Sequence, residues 1–147
     1  MTSSAPFPYT AFLADLQGSD GPAALARVLQ GKGGAGRLAE ALVALLQARK
    51  ATLQAAFDTT LAADELRRYQ KYAKPGKPSA HIVQLRQKQA AARQASSLSR
   101  QSLIKAAAAF VREAGIEVPE RVALDEFIIH WIEANVPKDS GADATPS

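Results

Sequence analysis

Large apolar side chains recur every three to four residues in segment 37–57, and this spacing constrains the fold more than any other feature of the sequence. The positions are Leu38, Leu42, Leu45, Leu46, Leu53 and Phe57. Because a helix turns once every ~3.6 residues, the spacing predicts an amphipathic helix with one buried face. Alternation with a period of two residues, which marks a half-buried strand, is convincing nowhere. Abundant alanine, leucine and glutamine, with few valine, isoleucine or threonine residues, favour an all-α fold.

Further helix signals lie on both sides of this segment. They predict helices over residues 8–17, 61–72, 98–114 and 119–135, with others beginning at Pro22 and Ser79. Residues 58–60, Asp-Thr-Thr, predict a stop after segment 37–57, with one bent helix across them as the alternative. The expected architecture is a bundle of about six to seven helices with a long basic, alanine- and glutamine-rich helical segment.

Proline, glycine and small polar residues divide the chain into five parts. Residues 1–7 and 137–147 are expected to be disordered, because they offer little apolar surface to bury. Residues 74–78, Lys-Pro-Gly-Lys-Pro, cannot continue a helix and predict a joint. This joint separates an N-terminal helical half, residues 8–73, from a C-terminal helical half, residues 79–136.

The charges are sharply separated along the sequence. Segment 67–112, which we call the basic stretch, contains eleven Lys or Arg residues and no Asp or Glu. Its formal charge is +11, against −7 for the rest of the chain. Residues 86–97 within it carry no large apolar side chain, so a helix there would present most of its circumference to water or to a partner. Cations without acids among them are typical of a surface for a polyanion, and the pI of 9.6 agrees with this.

Residues 91–103 carry a local pattern of two alanines, a short polar segment, and then Leu98, Ser99, Arg100, Ser102 and Leu103. This pattern resembles the centre of a helix-turn-helix DNA-binding motif. Its first half departs from the motif, because serine stands where the turn glycine is usual. The resemblance implies that Ser99, Arg100 and Gln101 would reach phosphates and base edges. One long helix with its charges on a solvated face is the alternative.

The basic stretch supplies the candidate binding residues. Those expected to contact nucleic acid are Lys74, Lys77, Arg86, Lys88, Arg93, Arg100, Gln101 and Lys105. Arg86, Arg93 and Arg100 are seven residues apart, so they form one stripe if the helix is continuous. The sequence thus predicts a small, basic, non-enzymatic regulatory or accessory protein that binds nucleic acid, with DNA expected rather than RNA.

A protein-interaction module that binds no nucleic acid is the alternative. The last helix is nearly apolar all round, and Phe127 and Trp131 are its candidate interface anchors, for instance in a homodimer. Glu126, His130 and Glu133 share one helix face, but a single helix supplies too few ligands for a metal. With two histidines, no cysteine and no nucleophile motif, the sequence predicts neither an enzyme nor a bound metal or cofactor.

The composition also bears on the compartment. The absence of cysteine removes disulfides and thiolate chemistry and agrees with a reducing cytoplasm. No run approaches the roughly 18 apolar residues of a membrane span, and the first residues lack the basic and apolar regions of a secretion signal. We therefore expect a cytoplasmic protein with no membrane contact.

Overall fold

Five helices make up the part of the chain that the computed structural model describes, which is residues 5–19, 21–29, 36–71 and 79–139. They are α1 (Thr10–Gln17), α2 (Gly21–Val28), α3 (Gly36–Lys71), α4 (Ala80–Ala114) and α5 (Leu124–Asn135). No strand occurs in these ranges, so the predicted all-α class is confirmed. There are fewer helices than the sequence predicted, because two expected breaks are absent.

The first absent break is at residues 58–60, through which α3 runs without interruption. The Thr59 hydroxyl donates to the carbonyl oxygen of Ala55 at 2.8 Å and lies 3.3 Å from the carbonyl oxygen of Ala92 on α4. Asp58 accepts a hydrogen bond from a side chain one turn earlier, at 2.9 Å. Side chains that could cap a new helix are satisfied along the existing one, so the single-helix alternative is the one that holds.

The second absent break is in α4, ahead of the separate helix that was expected over residues 98–114. The Ser99 hydroxyl donates to the carbonyl oxygen of Ser96 at 2.9 Å, so it bonds back into the helix that contains it. Both ends of α4 agree with the sequence. The Ser79 hydroxyl accepts the N–H of Ile82 at 3.2 Å, and Gly115 has a φ of 68°, the left-handed conformation that ends many helices.

Two connections determine where the short helices α2 and α5 begin. Gly21 begins α2 directly against the end of α1, and a Cβ there would lie 2.7 Å from the carbonyl oxygen of Leu16, so a larger residue would not fit. α5 begins at Leu124 rather than at the expected Pro119, because the N–H of Val122 bonds to the carbonyl oxygen of Pro119 in a turn (3.2 Å).

The main core lies where α1, α2 and α5 pack against the first part of α3 and the last part of α4. Its fully buried large side chains are Phe110, Leu25, Leu42, Leu45, Leu46, Leu103, Ile128 and Ile132. Burying such a side chain contributes roughly 1.5–3 kcal/mol relative to leaving it exposed. Both halves of the sequence supply residues to this core.

Beyond the core, α3 and α4 continue side by side as an antiparallel pair, and small residues fill the middle of their contact. Ala55 and Ala62 of α3 are buried there, and Thr59 meets Ala92 of α4. We call this line of contact the seam. A second, small core closes the far end of the pair and consists of Leu66, Ile82 and Leu85. Because alanine side chains are short, the two backbones can approach closely. The surface over the seam is therefore narrow, and longer side chains of both helices border it on either side.

Described residues near both ends of the chain form hydrogen bonds with the helices. The Asp139 carboxylate accepts the N–H of Ala11 in the first turn of α1 at 2.8 Å, and the Asp139 N–H donates to the carbonyl oxygen of Pro8 at 2.6 Å. The N–H of Ala5 donates to the Gln54 side chain at 2.9 Å. A carboxylate at a helix N-terminus satisfies N–H groups that lack a partner in the helix, so Asp139 caps α1 from the other end of the sequence.

Some expectations concern residues that the structure does not describe. The joint at residues 74–78 and the outermost residues expected to be disordered, 1–4 and 140–147, lie outside the described ranges. Within those ranges, no helix combines the length and the apolar character that crossing a membrane requires.

The small-residue seam predicts an asymmetry between two alanine positions. Ala62 is 2% exposed in the seam, whereas Ala91 points away from it and is exposed. We expect Ala62→Leu to lower the free energy of unfolding by about 1–3 kcal/mol, because the larger side chain forces the helices apart. Ala91→Leu, the matched control, should change it by less than about 0.5 kcal/mol. Urea unfolding of both variants measures this, and equal stabilities would contradict close packing along the seam.

Candidate nucleic-acid interface

The predicted nucleic-acid contacts are spread around α4 and do not share one face. Lys74 and Lys77 lie outside the described residues. The other six are all exposed on α4, namely Arg86, Lys88, Arg93, Arg100, Gln101 and Lys105. A helix turns by ~100° per residue, so their positions in the sequence decide which of them lie on the same side.

Residues 91–103, which resemble a helix-turn-helix, lie wholly inside α4. That motif has a turn between two helices that cross at a large angle. The structure has a single helix here, which is the alternative that the sequence left open. Gln101, the expected base-reading residue beside Arg100, is exposed in the middle of this helix. Any contact made by these residues would therefore come from the side of a helix and not from the N-terminus of a recognition helix.

On one flank of the seam, an acid of α3 faces a cation of α4. The Lys88 Nζ lies 3.2 Å from the Glu65 carboxylate. Asp58 is seven residues before Glu65 and therefore lies on the same side of α3. Lys88 thus has a carboxylate partner inside the protein, so its charge is partly neutralised without an external phosphate.

Arg100 also has an internal partner, which comes from α5. Its Nε donates to the Asp125 carboxylate at 2.8 Å. The Asp125 side chain is 13% exposed, while that of Arg100 is 67% exposed. Because Asp125 lies in the first turn of α5, the helix dipole further favours its negative charge. Arg100, which the sequence predicted to read bases, thus also ties α4 to α5.

A related cluster joins α1, α3 and α5 near the same place. Burial lowers the pKa of Arg49, and the nearby Glu133 carboxylate acts in the opposite direction. Burial raises the pKa of Tyr9, with a further contribution from Glu133. The sequence did not predict a role for Arg49, because the residues near it in the sequence do not indicate that Glu133 of α5 lies close to it in space. Acids of α5 therefore face arginines of both long helices at the end of the seam next to the core.

The opposite flank of the seam carries Arg86 and Arg93. Arg86 is two residues from Lys88, about 200° around α4, so the two side chains leave the helix on opposite flanks. On α3, the corresponding side has Ala56 and Ala63, seven residues apart and short. Within the described part of the chain, neither Arg86 nor Arg93 forms an ion pair, and both are exposed. We call the surface formed by these four residues the free flank.

The far end of the α3–α4 pair, residues 64–71 and 79–86, adds a second basic surface, which we call the hairpin end. Arg67 pairs with Asp64 one turn earlier at 3.4 Å, and Arg68 is exposed. The ring of Tyr69, which is 50% exposed, lies 4.3 Å from that of His81, centroid to centroid. These residues were not among the predicted contacts, although the Arg-Arg-Tyr sequence in a last helical turn was an available signal.

The remaining candidates lie away from the free flank. Lys105 is exposed on the outer side of α4, in line with Leu98 seven residues before it. On α5, Trp131 packs edge-on against the buried Phe110 with ring centroids 4.9 Å apart, and Phe127 is half-buried. Trp131 is thus engaged with the main core and keeps part of its surface open to solvent.

A metal site is absent from the described residues, where no group of three or more His, Asp or Glu side chains could hold an ion. His130 and Glu133 lie 3.9 Å apart on α5, and both are exposed. The candidate site is therefore electrostatic. Arg86, Arg93 and Arg100 form a row of cations beside the seam. Arg100, at the core end, is paired with a carboxylate, whereas Arg86 and Arg93 form no ion pair with the described residues.

The contact between Arg100 and Asp125 predicts an energetic coupling that the free flank lacks. We expect Arg100→Gln and Asp125→Asn each to lower the free energy of unfolding, and the double variant to lose less than the sum by about 0.5–1 kcal/mol. Arg93→Gln, seven residues away on the same side, should leave stability within about 0.5 kcal/mol of wild type. Urea denaturation of wild type, the two single variants and the double variant measures the coupling, with Arg93→Gln as the control. Additive losses would show that the ion pair contributes nothing to stability.

Comparisons of the chain with protein-family models, with curated protein sequences and with solved structures gave no match. No relative therefore supplies a function or a set of binding residues. What the chain does has to be argued from the charges and contacts described above.

Proposed function

We propose that this protein binds nucleic acid by electrostatic contact with its phosphates, DNA being the expected partner, and that the free flank makes the central contact. The observation that carries the proposal is the pair Arg86 and Arg93. Both are exposed, and neither has a carboxylate partner among the described residues. Leaving two cations unneutralised beside alanines costs little in water, and phosphates would supply the missing countercharge.

The spacing of these two arginines suits a nucleic-acid backbone. Seven residues of helix span about 10 Å, which is close to the rise of three nucleotides along one strand of a duplex. Ala56 and Ala63 place only short side chains on the α3 side of the flank. A sugar-phosphate backbone could therefore approach the seam closely while the two guanidinium groups reach different phosphates.

Because several cations of the basic stretch form internal ion pairs, fewer of its residues are expected to contact phosphates than its formal charge of +11 suggests. Arg67, Lys88 and Arg100 are paired with carboxylates of the protein itself. Contacts with phosphates alone carry no information about base sequence. The function proposed is therefore that of a non-enzymatic accessory protein with general affinity for nucleic acid.

A protein-interaction module that uses α5 is the competing proposal. Its support is that Phe127 and Trp131 keep part of their apolar surface open on a short helix. α5 also carries Asp125 and Glu126 in its first turn, so this surface is acidic where the free flank is basic. A partner of α5 would therefore differ in chemistry from a partner of the free flank.

Binding to a duplex tests the proposal. Labelled duplex DNA is titrated at about 50 mM and about 200 mM salt, because phosphate contacts weaken steeply with salt. We expect Arg86→Gln/Arg93→Gln to weaken binding at low salt and to reduce the slope of log K against log salt by about 2, roughly 0.9 for each phosphate that the variant no longer neutralises.

A control variant separates a local contact from a general effect of charge. Arg37→Gln/Arg121→Gln removes the same formal charge from two exposed positions near the ends of α3 and α5. It should bind DNA with the wild-type slope. Absence of binding by wild type at low salt, or equal losses in both double variants, would rule out the free flank as the binding surface.

A further inference from the structure

Arg67 of α3 lies on the same flank of the seam as Arg86 of α4. The reference point is the contact between Glu65 and Lys88, which lies on the opposite flank. Arg67 is two residues after Glu65, about 200° around α3, so its side chain leaves the helix on the free flank. Arg86 stands in the same relation to Lys88 on α4. Ala63, a residue of the free flank, is four residues before Arg67 and therefore shares its side of α3.

Arg67 and Arg86 also lie at the same level along the seam. Glu65 is level with Lys88, because their side-chain atoms are 3.2 Å apart. Since α3 and α4 are antiparallel, two residues forward on α3 correspond to two residues back on α4, and these positions are Arg67 and Arg86. The axes of packed helices are ~8–10 Å apart. Two long guanidinium side chains can therefore reach one phosphate from the two sides of the seam.

An acid of α3 competes for Arg67. The Arg67 Nη2 lies 3.4 Å from the Asp64 Oδ1, one turn earlier on the helix. The Arg67 side chain is 75% exposed and that of Asp64 is 46% exposed. An ion pair this open to water contributes little, so a phosphate can displace the carboxylate from Arg67. Arg86 forms no ion pair with the described residues, so its contact with a phosphate displaces no acid.

We propose that Arg67 and Arg86 hold one phosphate of the nucleic acid between them, and that Asp64 limits the affinity by competing with that phosphate for Arg67. The inference rests on the proposed function, since the free flank supplies the neighbouring contact at Arg93. It adds a binding residue from α3 and an acid whose removal strengthens binding.

Substitutions at two adjacent arginines test the position of Arg67. Fluorescence anisotropy with labelled duplex DNA at about 50 mM and about 200 mM salt gives the affinity and its salt dependence. We expect Arg67→Gln to weaken binding about fivefold at low salt and to reduce the slope of log K against log salt by about 0.9, the value for one phosphate. Arg68→Gln removes the same charge one residue later, about 100° around α3, and should keep the wild-type slope.

A second pair of variants tests the competition. Asp64→Asn releases Arg67 and should strengthen binding about threefold at low salt, because the exposed ion pair no longer has to be broken. Glu65→Gln, the matched control, also removes one acid and one ion pair, but on the opposite flank. It should change the affinity by less than about 1.5-fold, because screening weakens its effect on a backbone held on the free flank. Asp64→Asn/Arg67→Gln should lose the gain, since no arginine is left to release.

The outcomes separate this inference from the proposed function. If Arg86→Gln/Arg93→Gln weakens binding while Arg67→Gln binds like wild type, the shared phosphate contact is refuted and the free flank stands. Equal gains in Asp64→Asn and Glu65→Gln would refute the competition, because they would report net charge alone. If wild type does not bind at low salt, both proposals fail.

Discussion

Close packing of small side chains between α3 and α4 is the constraint on which the rest of the molecule depends. In the middle of the seam, Ala55 and Ala62 are buried and Thr59 reaches a backbone carbonyl of the opposite helix. The main core cannot hold the helices together at that distance, so the seam and the three apolar residues at its far end must do so. Because the backbones lie close together, Arg86 and Arg93 stand beside a shallow surface and not in a cleft. Because α4 packs against α3 through its small residues, its rotation about its own axis is fixed, and so is the flank on which each of its other side chains lies.

The charges of the protein are arranged in relation to this seam. Glu65 of α3 meets Lys88 on one flank, and acids of α5 approach Arg49 and Arg100 at the core end of the other. The separation of signs along the sequence is therefore only partly preserved in space. Cations without an ion pair among the described residues remain on the free flank, at Arg86 and Arg93, and at exposed positions away from it, such as Arg68 and Lys105. α5 thus limits the basic surface as well as completing the main core.

Local features were predictable from the sequence, and contacts between distant residues were not. The first helix within residues 8–17, the beginning of α4 after Ser79 and its end after residue 114 depend on near neighbours, and the structure has them as expected. The continuity of α3 depends in part on a carbonyl of α4 that accepts from Thr59, 33 residues away. Arg100 and Asp125 are 25 residues apart, and Ala11 and Asp139 are 128 apart, so no local pattern reveals either contact. The resemblance to a helix-turn-helix likewise matched residue types without testing whether the chain turns there.

Chemical-shift mapping of the isotopically labelled protein during titration with an oligonucleotide tests the role of the free flank most directly. Backbone amides of Ala56, Ala63 and Arg93 should shift together, with those at the hairpin end, as nucleic acid is added at low salt. The amides around Asp125, where that carboxylate already neutralises Arg100, should change little. Shifts concentrated on α5 or on the Lys88 flank, or no shifts at all, would contradict the assignment of the free flank as the binding surface.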